Sequence, residues 1–191
     1  NWQDDFITAG FPGAHYPNFM NGGQLWPSIR TYKESMPGSV AVGMVGPVNV
    51  NDPLTPGRGF QAWSGSTLTT TTAFVVDVNG APVVAHTPFT LPVTWTNTGN
   101  VEGDGWNLVG NPVASPIDFT TMSKGADVRN MYWIFNPVSG SMDFWNETLQ
   151  AGSAGMNGNI QSSQAFWLKV DGPANAVSVT EANKVNDPTG G

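Results

Sequence analysis

The chain has 191 residues, of which 11% are charged and 39% hydrophobic, with a formal net charge of -7 and no cysteine. Because only seven residues are Lys or Arg and they form no cluster, nucleic acid and anionic membrane surfaces are excluded as partners. The lack of cysteine excludes disulfides, thiolate metal sites and a cysteine nucleophile. No apolar run approaches the ~18 residues that span a bilayer, so we expect no membrane insertion.

The composition also predicts the cellular location of the chain. Ordinary soluble domains contain roughly 25% charged residues, whereas this chain is rich in Gly, Pro, Thr, Asn and Trp. Such a neutral polar surface is typical of an extracellular module, so we expect a secreted or outer cell-surface location. The sequence starts at Asn1 without a signal peptide, and an exported chain would therefore be a mature or excised fragment. We expect one module over residues 1–185 and the start of a linker at residues 186–191.

Strand-forming patterns dominate the chain. Few stretches lack Gly or Pro for long enough to form three helical turns, and the best helical candidate is a turn or two around Phe119 to Lys124. Short blocks of apolar, Thr and aromatic residues lie between turn residues instead. The predicted strands, in chain order, are Ser28 to Lys33, Gly59 to Ser64, Thr67 to Val78, Phe89 to Thr96, Trp106 to Val109, Met131 to Asn136, Met142 to Asn146, Ala165 to Val170 and Val177 to Glu181. This spacing predicts an all-β fold with little helix, a two-sheet β-sandwich or jelly roll.

Three connections between these strands have a recognisable character. The pair Asn79-Gly80 lies between apolar runs and predicts a hairpin from Val78 to Ala81. The turn residues Pro137 to Gly140 should join the two strands on either side of them. The Gly-rich segment Gln150 to Asn159 offers few side chains that could pack, so we expect a mobile surface loop.

The stretch Gly105 to Phe119 combines a tryptophan, a short apolar strand and two Xaa-Pro corners. Proline donates nothing to a β-ladder and keeps the residue before it out of the α region. The strand must therefore stop at Asn111-Pro112, and we expect the following loop to be fixed against the core. Its one acid, Asp118, has no evident catalytic partner.

The two halves of the sequence resemble each other weakly. An aromatic strand precedes an apolar strand in each half, and placing Phe60 over Phe166 also places Leu54 over Ile160. We interpret this either as two similar sheet halves or as chance in a β-rich composition.

No residue pattern in the chain indicates catalysis. The close carboxylate pairs are Asp4-Asp5, Glu102 with Asp104, and Asp143 with Glu147, and all of them adjoin turn residues that favour solvated or turn-capping acids. The two histidines, His15 and His86, belong to no metal-ligand pattern, and no serine lies in a Gly-x-Ser-x-Gly elbow. We therefore expect no catalytic residues and no enzymatic activity.

Calcium remains an open alternative for two loops. Extracellular β modules often fix their loops with oxygen ligands. Asn49, Asn51 and Asp52 in one loop, and Glu102 and Asp104 in another, could supply them, although neither loop has EF-hand spacing. The competing interpretation is that these residues only form turns. No other cofactor is expected.

The eight tryptophans offer a second chemical resource, because exposed indole faces could bind sugars. Along Ala165 to Val170, period-two alternation places Phe166 on one face and Trp167 with Lys169 on the other. Trp167 is thus the best candidate for an exposed ring, and Trp133 and Trp63 are further candidates. The competing interpretation is that these rings pack in the core, as we expect for Trp106.

Several of these motifs in combination resemble a known family. They are Asp4 to Gly13, Ser28 to Ser35, Leu54 to Phe60, Gly105 to Phe119, Ile160 to Leu168 and Val179 to Val185. Together they resemble the module near the C-terminus of large secreted and cell-surface proteins of Bacteroidetes, over nearly the whole chain. The chain departs from that pattern at Val113-Ala114, where the family often has an aromatic residue and a proline, and at Gln161 to Ser163, where a Pro-containing turn is common.

The resemblance implies a location and an architecture. Modules of this kind commonly precede the sorting domain that directs export through the type IX secretion system. We therefore expect a non-catalytic structural, adhesion or assembly module of an exported surface or filament protein. The partners would be copies of itself or neighbouring domains of a longer chain. The alternative is a carbohydrate-binding module that uses exposed tryptophans, with glycans as partners.

Overall fold

The computed structural model describes residues 6–70, 81–153 and 155–185. Its strands, in chain order, are β1 (Met20–Asn21), β2 (Gln24–Leu25), β3 (Ile29–Tyr32), β4 (Met44–Val45), β5 (Phe60–Ala62), β6 (Phe89–Thr90), β7 (Trp106–Gly110), β8 (Ile117–Asp118), β9 (Ser123–Lys124), β10 (Val128–Asn136), β11 (Ser141–Asn146), β12 (Ala151–Gly152), β13 (Asn159–Ile160), β14 (Ala165–Val170) and β15 (Val177–Val179). Within these ranges, helical structure is limited to α1 (Val40–Gly43) and to 3₁₀ turns at Phe119–Thr121 and Glu181–Asn183. None of the helices in the described ranges has the length and apolarity that crossing a membrane requires.

A five-stranded antiparallel sheet in the order β12-β11-β10-β14-β7 lies at the centre of the fold. Three smaller sheets surround it, in the orders β4-β3-β5, β6-β15-β9 and β13-β8, and the hairpin β1-β2 is separate. The predicted hairpin turn after β10 is confirmed, since Gly140 donates its backbone N–H to the carbonyl of Asn136 (2.9 Å) in a left-handed conformation.

The strand β7 stops where the prolines predict. It ends at Gly110, and the side chain of Asn111 then holds the corner by donating to the carbonyls of Ser115 (2.8 Å) and Ile160 (3.1 Å). The outer edge of β7 is hydrogen-bonded to the segment just before β5, where Gly59 donates its backbone N–H to the carbonyl of Leu108 (3.1 Å). The three-stranded sheet β4-β3-β5 is thereby joined to the central sheet.

One face of the central sheet is covered, and the other is covered in part, since Phe135 and Phe144 remain exposed on it. One face packs on the three strands of β6-β15-β9 and on β13-β8 in the largest core cluster, which includes Phe166, Leu168 and Tyr132. The other face meets β3 and β4 in a second cluster built on Tyr32, Leu108 and Trp167. A third cluster around Ile29 and Phe11 lies on the far side of β3 and β5. The fold is therefore all-β and sandwich-like, as the sequence predicted.

The two halves share a strand arrangement. The order β4-β3-β5 in the first half matches β11-β10-β14 in the second, and every neighbouring pair is antiparallel. Phe60 begins β5 and Phe166 lies in β14, which are corresponding strands in the two arrangements. The match is weaker at Leu54, which is half-buried, whereas Ile160 is fully buried.

Some predicted elements are wrong or shorter than expected. The strand predicted from Phe89 to Thr96 is observed only as Phe89–Thr90. The helical candidate is a 3₁₀ turn that is followed by β9 at Ser123. The 3₁₀ turn is short because Asp118 caps it by accepting from the backbone N–H of Thr120 (2.8 Å) while Met122 already returns to extended backbone. Strand β15 likewise ends at Val179, before the predicted limit at Glu181.

The strand predicted from Thr67 to Val78 is not formed where it can be observed. Residues 66–69 form a bend, after which the Thr67 hydroxyl accepts from the backbone N–H of Thr70 (3.1 Å) and replaces a ladder partner. The rest of that strand, the predicted hairpin at residues 78–81 up to Gly80, and the predicted linker at residues 186–191 lie outside the described residues.

The Gly-rich segment Gln150 to Asn159 packs more than predicted. Its first part forms β12, which pairs with β11, and its last residue begins β13. Met156 contacts the largest core cluster, and Gly158 lies so close to Trp145 that a Cβ there would approach the indole at 3.1 Å. Glycine is used here for close approach to an aromatic ring, which composition alone does not show.

Candidate functional site

The main candidate site is a cleft at the open end of the space between the central sheet and β4-β3-β5. Its volume is about 490 Å³, within the roughly 300–1,000 Å³ of ligand pockets. The side chains that form its walls are Trp26, Arg30, Gln61, Trp63, Phe135 and Gln164. We call this site the aromatic cleft.

Strand alternation places these side chains. Tyr32 of β3 points between the two sheets, with its ring 4.8 Å from that of Trp167. Arg30 lies two residues earlier on the same face and is paired in register with Gln61 of β5. The aromatic cluster around Tyr32 therefore fills one end of the space between the sheets, and the polar pair Arg30 and Gln61 lines the end that stays open.

The aromatic wall is held by ring contacts. Trp26 and Trp63 meet edge to face, with centroids 5.9 Å apart and planes at 72°, and Phe19 contacts the other side of Trp26 at 5.8 Å. The indole N–H of Trp63 donates to the carbonyl of Thr67 (2.9 Å). Both rings are thus fixed in orientation while they remain partly exposed.

The polar wall keeps unused hydrogen-bonding capacity. Arg30 donates its Nε–H to the carbonyl of Pro27 (3.1 Å) and forms no ion pair with a described carboxylate. The side-chain amide of Gln61 has no hydrogen-bond partner among the described residues, and that of Gln164 makes only a long contact of 3.4 Å with the carbonyl of Ala165. Amides both donate and accept, so these groups can bind a polar ligand.

The sequence placed the exposed tryptophan wrongly. Trp167 is only 5% exposed, because this part of the second face of the central sheet is covered by β3 and Trp167 packs between Tyr32 and Trp106. Trp133 is half-buried against Trp106 at 4.9 Å and lies outside the cleft lining. Trp63 and Trp167 both line the cleft, and of the two only Trp63 is partly exposed.

Sequence reasoning missed the other walls of the cleft. Trp26 stands outside any predicted strand, and its contact with Trp63 exists only because β3 pairs with β5. Gln61 could have been found from the sequence, since alternation along β5 places Phe60 and Ala62 on one face and Gln61 on the other, which faces away from their core cluster. Phe135 could not be found from the sequence, because its exposure depends on which part of the second sheet face β3 and β4 leave uncovered.

The predicted calcium ligands do not converge. In the first loop the Asp52 carboxylate accepts from the backbone N–H of Asn49 (2.8 Å). The side-chain oxygen of Asn49 accepts from the backbone N–H of Asn51 (3.0 Å). These are turn-forming contacts. In the second loop Asp104 is buried and accepts from the backbone N–H and the hydroxyl of Thr98, while Glu102 is exposed. Within the described ranges no group of three His, Asp or Glu side chains could hold a metal ion.

Two buried charged side chains stabilise the loops next to the core cluster built on Tyr32, Leu108 and Trp167. Glu34 is 5% exposed and accepts from the backbone N–H groups of Thr96 (2.8 Å) and Gly105 (3.0 Å). The Lys169 ammonium donates to the carbonyls of Val101, Glu102 and Asp104. Burial lowers the pKa of Lys169. Glu34 also accepts from the hydroxyls of Thr94 and Thr96, so both charged groups bind residues of neighbouring loops, which is the pattern of loop anchors.

Among the acids and histidines that could have served catalysis, Asp143, Glu147 and His15 have partners, and His86 is exposed. Asp143 accepts from the side chain of Asn136 (2.9 Å), and Glu147 lies 3.0 Å from the ammonium of Lys124. His15 contacts the hydroxyl of Thr8 at 3.1 Å. The pair Asp4-Asp5 lies outside the described residues.

Comparison with known proteins adds no identification. No protein-family model matches the chain, and no curated protein or solved structure does so either.

Proposed function

We propose that this chain is a non-catalytic β-sandwich module of an exported cell-surface or filament protein and serves adhesion or assembly. The use of its buried charges carries the proposal. Glu34 accepts from backbone N–H groups and threonine hydroxyls of two loops, Lys169 donates to loop carbonyls, and Asp104 binds Thr98, whereas acid-base catalysis needs titratable groups aimed at a cleft. The low charge content and the resemblance to surface modules of Bacteroidetes support the location.

The sheet edges bear on how such a module would act. Among the described strands, the outer strands β4 and β12 are each two residues long. Short edge strands are poor templates for pairing with another chain. The geometry thus favours adhesion through side chains over polymerisation through sheet edges.

A turnover assay tests the non-catalytic part of the proposal. The purified chain, incubated with panels of polysaccharides and peptides, should release no product above the buffer control. Robust hydrolysis that disappears in Asp143→Asn or Glu147→Gln would contradict it.

Sedimentation at several concentrations tests assembly, and we expect a monomer at low concentration because the described edges are short.

A further inference from the structure

We infer that the aromatic cleft binds a short neutral oligosaccharide through Trp63, Phe135 and Gln61. The inference rests on the proposed adhesive function and supplies the ligand class for it. It requires three properties of the cleft: accessible ring surface, polar groups that both donate and accept, and little charge.

The ring surface is present on both sides of the cleft. Phe135 is 43% exposed on the central sheet, and Trp26 and Trp63 lie partly exposed on the wall near β5. The face of an aromatic ring is electrostatically negative. It therefore attracts the weakly positive C–H groups on the flat face of a pyranose ring.

The polar groups match sugar hydroxyls. A hydroxyl donates one hydrogen bond and accepts others, and a side-chain amide offers both functions in return. Gln61 has no partner for its amide among the described residues, and the contact of Gln164 is long. The remaining N–H groups of Arg30 can donate to hydroxyl oxygens. A purely apolar ligand would leave all these groups without partners, which is unfavourable.

The charge of the cleft favours a neutral ligand. Arg30 is the only charged residue among the described side chains that line it. The protein has a net charge of -7, and such a field repels uronic acids and sulfated sugars. A polyanionic glycan would need a cluster of cations that this surface lacks.

Titration with defined oligosaccharides tests the inference. The probes are cello-, xylo-, manno- and laminari-oligosaccharides, with oligogalacturonides and heparin fragments as charged comparators and an unrelated peptide library as a second comparator. We expect at least one neutral series to bind and to shift the indole N–H resonances of Trp63 and Trp26. The resonance of Trp145, on the other face of the sheet, should not move.

Matched variants locate the site. Phe135→Ala and Gln61→Ala should each weaken binding roughly tenfold. Phe144→Ala is the control, because Phe144 is 38% exposed on the neighbouring strand and lies outside the cleft. Its affinity should equal that of the parent chain. Thermal unfolding of each variant shows whether the fold is retained, and exposed Phe135 is the substitution that the fold tolerates best.

Four outcomes would overturn the inference. They are no binding in any neutral series, tighter binding of the charged comparators, binding of a peptide at the cleft instead, and equal losses in Phe135→Ala and Phe144→Ala. Each of these outcomes concerns binding, whereas the turnover assay measures hydrolysis in the same sample. Failure of the glycan site is therefore distinguishable from failure of the proposed non-catalytic function.

Discussion

At the scale of single residues, the carboxylate of Glu34 serves as a set of acceptors. It binds the backbone N–H groups of Thr96 and Gly105 and accepts from the hydroxyls of Thr96 (2.8 Å) and Thr94 (3.3 Å). The described residues provide no cation within ion-pair distance of it. Its role is to satisfy buried donors in two loops that would otherwise have no partner.

The substitution Glu34→Ala should lower the free energy of unfolding by about 3 kcal/mol, because it leaves the buried N–H of Gly105 and the part-buried N–H of Thr96 without acceptors. Glu34→Gln should recover most of that loss, since its amide oxygen can still accept and the threonine hydroxyls can accept from its NH₂ group. Urea denaturation measures both. If Gln is as damaging as Ala, the negative charge itself is required.

Tyr132 predicts how stability depends on alkaline pH. Its ring is fully buried, its hydroxyl donates to the carbonyl of Asn159 (3.2 Å), and burial raises the pKa of this phenol far above its usual value. A raised folded-state pKa stabilises the fold below the ordinary tyrosine pKa of about 10, and this contribution is lost as the pH rises through and above that value.

The free energy of unfolding should therefore fall more steeply above pH ~10 in the parent chain than in Tyr132→Phe. Denaturation at a series of alkaline pH values measures the difference between the two slopes. Lys169, whose pKa burial lowers, and Tyr32, whose pKa burial raises, are present in both proteins and cancel in the comparison. Identical slopes would show that Tyr132 ionises without unfolding.

At the scale of elements, the aromatic cluster between β3 and the central sheet sets the distance between the two sheets. Tyr32, Trp167 and Trp106 meet edge to face, and Trp133 extends the cluster along β10. Such pairs add about 0.5–1.5 kcal/mol beyond the burial of their surface. The cluster is thus the main apolar contact between β4-β3-β5 and the central sheet.

Trp167→Ala should cost about 3–5 kcal/mol, because it leaves a cavity under Tyr32 that neighbouring rings cannot fill. The exposed Phe144 is the matched control, and Phe144→Ala should change stability by less than about 1 kcal/mol. Guanidinium denaturation compares the two. Equal, small effects would mean that Trp167 is not a core residue.

The elements also show what local pattern could predict. Alternation along β14 assigned Phe166 and Trp167 to opposite faces correctly, since that rule depends only on the strand. It could not reveal that the second face is covered at Trp167, because the covering strand β3 lies far away in sequence. Likewise, prolines predicted the end of β7 at Asn111, but no local pattern predicted that Met156 would pack in the core.

At the scale of the whole molecule, the shared strand order of the two halves explains how the aromatic cleft arises. The arrangements β4-β3-β5 and β11-β10-β14 meet through β7, and the inter-sheet cluster packs between them. The sequence predicted the all-β class and left the similarity of the halves open against chance. It could not predict the cleft, which depends on how the two arrangements pack. The single module over residues 1–185 stays a prediction.

The measurement that tests the central claim most directly is antibody labelling of cells that produce the full-length protein, before and after permeabilisation. A surface module should be labelled on intact cells and removed when those cells are treated with protease. Labelling that appears only after permeabilisation, with the protein protected from protease on intact cells, would contradict an exported, surface-exposed role.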